Sequence, residues 1–548
     1  MILFALQAEN VKDQADIDIR TKIGAATLSS ITKRKDMKKY LLSAAAVVTM
    51  MTASAQVPGD LDSTFGIDGL IYNDFIPNTS EFWWDMIVLD DDKMIKVGYS
   101  DDTNNKDVLV GKFKANGEID STFANNGYLT VDIGLGLTEE GRGIYEMDNG
   151  QLLVTGYRVN ALTMSIDGFI MRLEADGSVD ATFGETAPGR TEFNGGDNTI
   201  AYGQSIEIVG NEIYVGGAVQ ENGQADLALF NFLMDGTLDN SFSSGGYAQI
   251  DIKGEDDFLN DMSATNNGSF VLVGSSELAG LQHASTTLLT SFGTPTGFAT
   301  QLLDFGTAAA DIRDVYVDQN DYIHVAGSQG TAPDIDGFVA RFKSDFSGDL
   351  DDTWGTSGMV GSNPGATTEM QLFKMMPVWD GGLVVTGNLQ GAAIQSYAMM
   401  LTATGGFQSD FSGGDVYLSF GSTPNVLVAN CVVTQSDGGI VIGGWLQNQT
   451  FIGSAGFLTK LVPYQDVTGI TEITASNVNV YPNPVSTDFK IDLEEVQSVQ
   501  LISMEGRVVG NWEGDQASYK LPAVLPSGAY VVKAKSNNSV GTSRIVVK

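Results

Sequence analysis

One cysteine and two histidines serve the whole chain of 548 residues. Cys431 has no partner for an intramolecular disulfide, and its place in the apolar run "VLVANCVV" reads as a buried core thiol rather than a nucleophile. His283 and His324 stand 41 residues apart, each within or beside an apolar strand phrase, and read as structural imidazoles. With so few ring nitrogens, a Ser-His-Asp triad, a multi-histidine zinc site and an HExxH helix are unsupported. Basic residues are scarce as well: 30 Lys and Arg against 68 Asp and Glu give a net charge of −38. Without residues 1–55 the balance is 22 against 63, or −41. Such a surface repels nucleic acid and anionic lipid headgroups, so neither is expected as a partner. Past residue 55, no apolar run approaches the ~18 residues needed to span a bilayer as a helix. There is no P-loop, and the 64 glycines lack the strand-to-helix context of a dinucleotide site.

What the chain does have is a sentence written repeatedly. "GDLDSTFGIDG" from Gly59 returns as "GEIDSTFANNG" from Gly117, "GSVDATFGETA" from Gly177 and "GTLDNSFSSGG" from Gly236. Its aromatic falls at Phe65, Phe123, Phe183, Phe242, Phe292, Trp354 and Phe411, with degraded copies at 292 and 411 and a period near 60. A second phrase keeps the same period, an apolar run ending in glycine: "MIKVGYS", "LLVTGYR", "IYVGGAV", "FVLVGSS", "IHVAGSQ", "LVVTGNL" and "IVIGGWL". Turn signals such as "DNGQ" and "NNGS" precede these runs, so each is the second arm of a β-hairpin. A third apolar phrase follows ("DVLVGKF", "DGFIMRL", "DGFVARF"), giving four short strands and no helix per period. Units of this size bury their faces only by stacking, and radial stacking leaves short, protected edges. The expected fold is all-β: a seven-bladed β-propeller, with an open β-solenoid as the runner-up.

In this frame the repeated carboxylates Asp62, Asp120, Asp180, Asp239 and Asp351 are structural. Each precedes a tight turn whose N–H groups it can accept, and the aromatic three residues later plugs the space between blades. The repeat is cut out of phase with the blade, because the first "DSTF" precedes any hairpin phrase. The ring is therefore expected to close by lending the strand near Gly66 to Phe75 to the last blade, so that Leu61–Phe75 meets Ala455–Val462. The phrase over residues 57–464 resembles the delta-60 repeat of secreted bacterial propeller-like proteins. That resemblance implies β-propeller architecture and no established enzymatic activity.

The ends carry addresses. "MKKYLLSAAAVVTMMTASAQ" from Met37 has a basic start, an apolar core and the small-residue site Ala53-Ser54-Ala55, so residues 37–55 read as a signal peptide and 1–36 as a mis-called extension. No cysteine follows the cleavage site, which excludes a lipoprotein anchor. The propeller is assigned 56–464 and a linker 465–476. At 477–548, "NVNVYPNPVSTDFKIDLEE" opens a separate module whose prolines force a turn before a new strand, with a length that suits a small Ig-like β-sandwich. This module resembles the type A C-terminal sorting domain of the type IX secretion system, through Tyr481, Pro482, Asn483, Pro484, the hairpin from Gly506, Gly528, Tyr530 and the basic end Lys548. The resemblance implies passage across the outer membrane with the type IX translocon and sorting machinery as partner. Removal of the module follows, often with attachment of the passenger to surface lipopolysaccharide.

The expectation for function is a secreted or surface-displayed monomer acting as a binding or structural module, not an enzyme, for an extracellular glycan or protein. The alternative is a carboxylate-dependent hydrolase on polysaccharide, for which 63 acids offer no unique pair. Trp83, Trp84, Trp379 and Trp445 are either sugar platforms or blade core. No cofactor is expected, although the acidic loops "DDD" at 90–92 and "GEDD" at 254–257 could take Ca²⁺.

Overall fold

The computed structural model describes residues 57–548, apart from 134–137, 160–164, 195–199, 297–300, 304–307, 419–425, 448–452, 464–473, 504–507 and scattered single residues and pairs. The signal peptide and the extension before it lie outside the described residues. Two compact units result, one through Tyr464 and one over Gln465–Lys548.

In the first unit the described strands form five sheets of four, eight, four, eight and four strands, and each eight-stranded sheet is two four-stranded antiparallel blades joined by one parallel bridge, Ile166↔Ile200 or Ile335↔Glu369. Their innermost strands are Ser80–Val88, Glu139–Glu146, Ile200–Val209, Asp257–Ala264, Ala309–Val317, Glu369–Pro377 and Val426–Thr434, and each packs on the innermost strand of the next blade, with the seventh back on the first. The apolar core lies between blades rather than within them. One cluster joins Ile95, Val97 and Val108 of the first blade to Ile144, Val154 and Phe169 of the second. Equivalent clusters follow at every junction, and the last sets Cys431, Val441 and Leu458 against Trp83, Met94 and Phe113. Cys431 is accordingly a buried thiol in the closing junction.

Closure uses the first strand. Leu70–Asn73 pairs antiparallel with Ala455–Leu461, in register Leu70↔Thr459 to Asn73↔Gly456. Leu61 bridges Leu461, and Thr459 Oγ1 donates to the Gly69 carbonyl at 2.7 Å. The expected clasp is present, shorter than the sequence suggests: the pairing ends at Asn73, and Ser80 already opens the innermost strand of the first blade. Lys96, fully buried where the second blade has Val154, completes the seam by donating to the Gly444 and Phe457 carbonyls, both at 3.2 Å. Burial pushes its ammonium down to about 8.

The aromatic of each repeat phrase packs on the glycine that opens the next: Phe65 on Gly117, Phe123 on Gly177, Phe183 on Gly236, Phe242 on Gly293, Trp354 on Gly405 and Phe411 on Gly59. These glycines have φ between 73° and 87°, and a Cβ there would meet the ring, so only glycine fits on both counts. Phe292 is a correction to the sequence reading. It precedes Gly293, which occupies the place of Gly177, so it sits in the turn and is 78% exposed. By sequence offset from Gly293 the position equivalent to Phe183 is Ala299, which lies outside the described residues. Phe411 keeps its place although Gln408 replaces the aspartate.

The second unit is a two-sheet sandwich. A five-stranded sheet runs Thr474–Asn477, Ser539–Val547, Gly528–Ser536, Val496–Ser503, Val508–Glu513, and a three-stranded sheet joins Val480–Tyr481, Asp488–Ile491 and Tyr519–Lys520. Val485, Phe489, Leu501, Tyr519, Val532 and Ile545 fill the space between them.

Candidate functional site

The innermost strands all break register at the same point. A β-bulge falls between Trp83 and Asp85, Gly141 and Gly143, Gly203 and Ser205, Leu259 and Asp261, Ile312 and Asp314, Leu372 and Lys374, and Ala429 and Cys431. Opposite each bulge stands the glycine of the second repeat phrase: Gly98, Gly156, Gly217, Gly274, Gly327, Gly387 and Gly444. A Cβ on any of them would lie only 1.8–2.0 Å from a carbonyl oxygen of the bulged strand. Glycine is thus the condition for the bulge, and the bulge re-aims two side chains per blade.

Except at Gly143 and at Cys431, which faces the junction core, the side chains at these bulges line a cavity of about 670 Å³ at the centre of the ring. Lys374 Nζ stands 2.8 Å from Asp314 Oδ1 and 3.2 Å from Asp261 Oδ2. Asp261 also accepts from Ser205 Oγ at 2.9 Å, Asp314 from the Met375 N–H at 2.8 Å, and Asp85 from the Ile144 N–H at 3.2 Å. Each of these carboxylates therefore pins a neighbouring blade. Asn260 and Asn430 do the same as donors, to the Ile312 and Trp83 carbonyls. Around this charged centre stand half-buried aromatics, Trp84, Tyr202, Tyr316 and Phe373, with Phe258 more exposed. The Arg142 guanidinium lies 4.2 Å from the Trp84 ring and 2.7 Å from Glu140.

The charges are tuned by burial and by each other. Burial raises the Asp314 carboxyl well above its ordinary range. Burial opposes ionisation of Asp261 too, yet Lys374 keeps its pKa below the ordinary value. For Lys374, burial is outweighed by Asp261, Asp314 and Asp85, which hold the ammonium well above its usual value. Glu207 is pushed up to about 7 by burial.

The repeat aspartates do not enter the channel. Oδ1 of Asp62, Asp120, Asp180, Asp239 and Asp351 accepts the hydroxyl two residues on at 2.6–2.7 Å. Oδ2 of Asp180 and Asp351 takes Arg172 and Arg341, which lie over Phe183 and Trp354. The Thr182 hydroxyl, against burial, brings Asp180 down to about 2. His324 is buried against Trp354, 3.7 Å from Asp318, while half-buried His283 pairs with Ser276 one blade earlier. Trp83 is core, Trp84 lines the channel, Trp445 packs edge-on to Phe82, and Trp379 is outside the described residues.

In the second unit Tyr481 is half exposed and Pro482 and Pro484 are exposed. Asn483 spans to the last strand, donating to the Arg544 carbonyl and accepting from the Val546 N–H, both at 2.9 Å. Tyr530 is buried in the sandwich core beside Gly528, the Lys548 N–H donates to the Val485 carbonyl, and Gly506 is outside the described residues.

Sequence reasoning missed Asp85, Glu207, Asp261, Asp314 and Lys374. The signal was present: counting back 13 residues from the second-phrase glycine (12 in the third blade) gives Asp85, Gly143, Ser205, Asp261, Asp314, Lys374 and Cys431. Because the channel needs different side chains from each blade, this position does not repeat as a letter.

Residues 479–548 match the family model of the secretion system C-terminal sorting domain, and residues 148–183 and 211–242 match that of a DUF5122 beta-propeller, a domain of unknown function. No curated protein matches. Among solved structures, a protein of unknown function from Dyadobacter fermentans is similar at 10% identity, over 72% of this chain and 100% of its own, with a TM-score of 0.38. The β-propeller domain of the Trilobed protease from Pyrococcus furiosus is similar at 8% identity, over 70% and 100%, with a TM-score of 0.35, and polysaccharide lyase Uly1 at 10%, over 74% and 89%, with 0.36. No helix among the described residues is long and apolar enough to cross a membrane. The chain is a β-propeller joined to a secretion system C-terminal sorting domain, which directs it to the cell surface or the medium.

Proposed function

We propose that the propeller is an exported binding module, carried out by the type IX system, and that it takes a neutral glycan in its central channel. The observation that supports this is the channel itself: a 670 Å³ concavity in which Trp84, Tyr202 and Phe373 offer apolar faces beside amides and carboxylates. That combination suits sugars, whose C–H faces stack while their hydroxyls seek fixed acceptors. The net charge of −41 after residue 55 disfavours polyanionic glycans. Lys374 weighs against hydrolysis, because it engages both Asp261 and Asp314 and so occupies the closest carboxylates that could divide into acid and base.

The test is a glycan array probed with the full chain lacking its leader, followed by titration of any hit. Trp84→Ala should weaken binding roughly ten-fold or more, the loss of a stacked ring being worth about 1–3 kcal/mol. Binding to no glycan, or binding indifferent to Trp84→Ala, overturns the proposal. Release of reducing ends that Asp261→Asn abolishes would replace it with a hydrolase.

A further inference from the structure

Just before each bulge, one step toward the start of the innermost strand, a residue and its ladder partner on the second strand make a further ring around the axis. Its chemistry is uneven. On the fifth and sixth blades the pairs are Asp311 with Ser328 and Gln371 with Asn388, whereas on the first, second and seventh they are Phe82 with Tyr99, Glu140 with Tyr157 and Val428 with Trp445. The small polar partners fasten blades: Ser328 Oγ accepts the Leu372 N–H at 3.2 Å and Asn388 Oδ1 the Ala429 N–H at 3.1 Å. A junction therefore does not call for a ring at this position.

The rings are joined to the channel. Phe82 stacks on Tyr99 with centroids 4.9 Å apart, and Trp445 meets Phe82 edge-on at 5.0 Å. Lys106 Nζ lies 4.4 Å from the Tyr99 ring and 2.8 Å from Glu140, which also takes Arg142 at 2.7 Å. The Arg142 guanidinium in turn lies 4.2 Å from Trp84 and 5.5 Å from Tyr157, both on the channel wall. A continuous ribbon thus leads from Trp84 to Trp445. Tyr99 and Glu140 are buried and act as props, while Phe82 and Trp445 are half-buried and stand outside the cavity lining. Glu140 ties down both cations, so the ribbon offers a ligand chiefly ring surface, which suits the C–H faces of uncharged sugars.

We propose that the ligand is a chain rather than a single sugar: a neutral oligosaccharide with some units in the channel against Trp84 and the next ones laid across the first blade on Phe82 and Trp445. The inference rests on the glycan reading of the channel. Because the units are covalently linked, contact at the second platform follows contact at the first without a further loss of translational freedom, and affinity grows with chain length until both platforms are covered.

The experiment titrates one- to six-unit ladders of neutral glucan, xylan and mannan oligosaccharides into the full chain lacking its leader, followed by calorimetry. Affinity should rise about five- to ten-fold between two units and five or six, the worth of one further stacked ring. Trp445→Ala should remove that gain while leaving the two-unit affinity within about two-fold, Trp445→Phe should restore most of it, and Trp84→Ala should weaken every length. Where Trp445→Ala fails to fold, Trp445→Leu keeps the apolar volume and gives the same readout. Affinity that Trp84→Ala lowers but that is flat with length, or a length gain that Trp445→Leu leaves intact, overturns the second platform and leaves the channel reading standing. No affinity for any ladder overturns both.

Discussion

An alanine at Gly217 is expected to abolish the folded propeller or to lower its stability by about 4 kcal/mol or more, at the upper end of what overpacking does. The added Cβ would lie 1.8 Å from the Tyr202 carbonyl oxygen and 3.2 Å from the Gly203 Cα, and both obstacles are backbone. Relief requires the bulge at Gly203/Ser205 to move out of register, which displaces Ser205 from Asp261 and so disturbs the channel as well. Gly361→Ala is the control. It lies on an outer strand, with nothing within 4 Å of a new Cβ and an ordinary φ, so it should be neutral or stabilise slightly through the unfolded chain. Denaturant unfolding of both variants checks the contrast; equal midpoints would mean that the bulges are not what the glycines are for.

Deleting residues 477–548 should reduce display at the cell surface to background while leaving a folded, soluble chain in the periplasm. Nothing in the seven inter-blade clusters belongs to the C-terminal sandwich, whose core is its own. The propeller therefore keeps every one of these clusters, whereas export loses the sorting domain that residues 479–548 constitute. Fractionation and surface protease accessibility are the readout. Truncated chain on the surface at parental levels would refute the role of this module in export.

The architecture was legible because its determinants repeat as letters. A glycine facing an aromatic at positive φ and a glycine opposite a bulge admit one residue type each, and an aspartate capping a Thr or Ser returns in five copies. They recur at a fixed period and reveal both blade and phase, which is why the clasp of Leu70–Asn73 on Ala455–Leu461 could be anticipated. Legibility failed where a position tolerates substitution. Phe292 imitates the repeat aromatic but belongs to a turn, because the hydrogen bond from the Gly293 N–H to Thr290 sets the register, not the ring. The channel was invisible for the opposite reason. Asp85, Asp261, Asp314 and Lys374 share one structural position, yet each blade fills it differently, and only the bulge makes them neighbours. The charge balance of Lys374 against three carboxylates is a property of ring closure, since no stretch of sequence contains it.

The proposed binding channel therefore requires a closed ring, and closure can be measured directly between turns that are 344 residues apart. Ser436 Oγ of the seventh blade donates to Asp92 Oδ2 of the first at 2.5 Å, while Gln435 donates to the Asp92 and Ala115 carbonyls at 2.9 Å. Cysteines at 92 and 436, with Cys431 left buried in the junction core, should form an intramolecular disulfide under mild oxidation, seen as a faster-migrating monomer on a non-reducing gel and a linked peptide pair by mass spectrometry. Free thiols at both positions, or disulfides only between molecules, would contradict the closed ring and with it the channel.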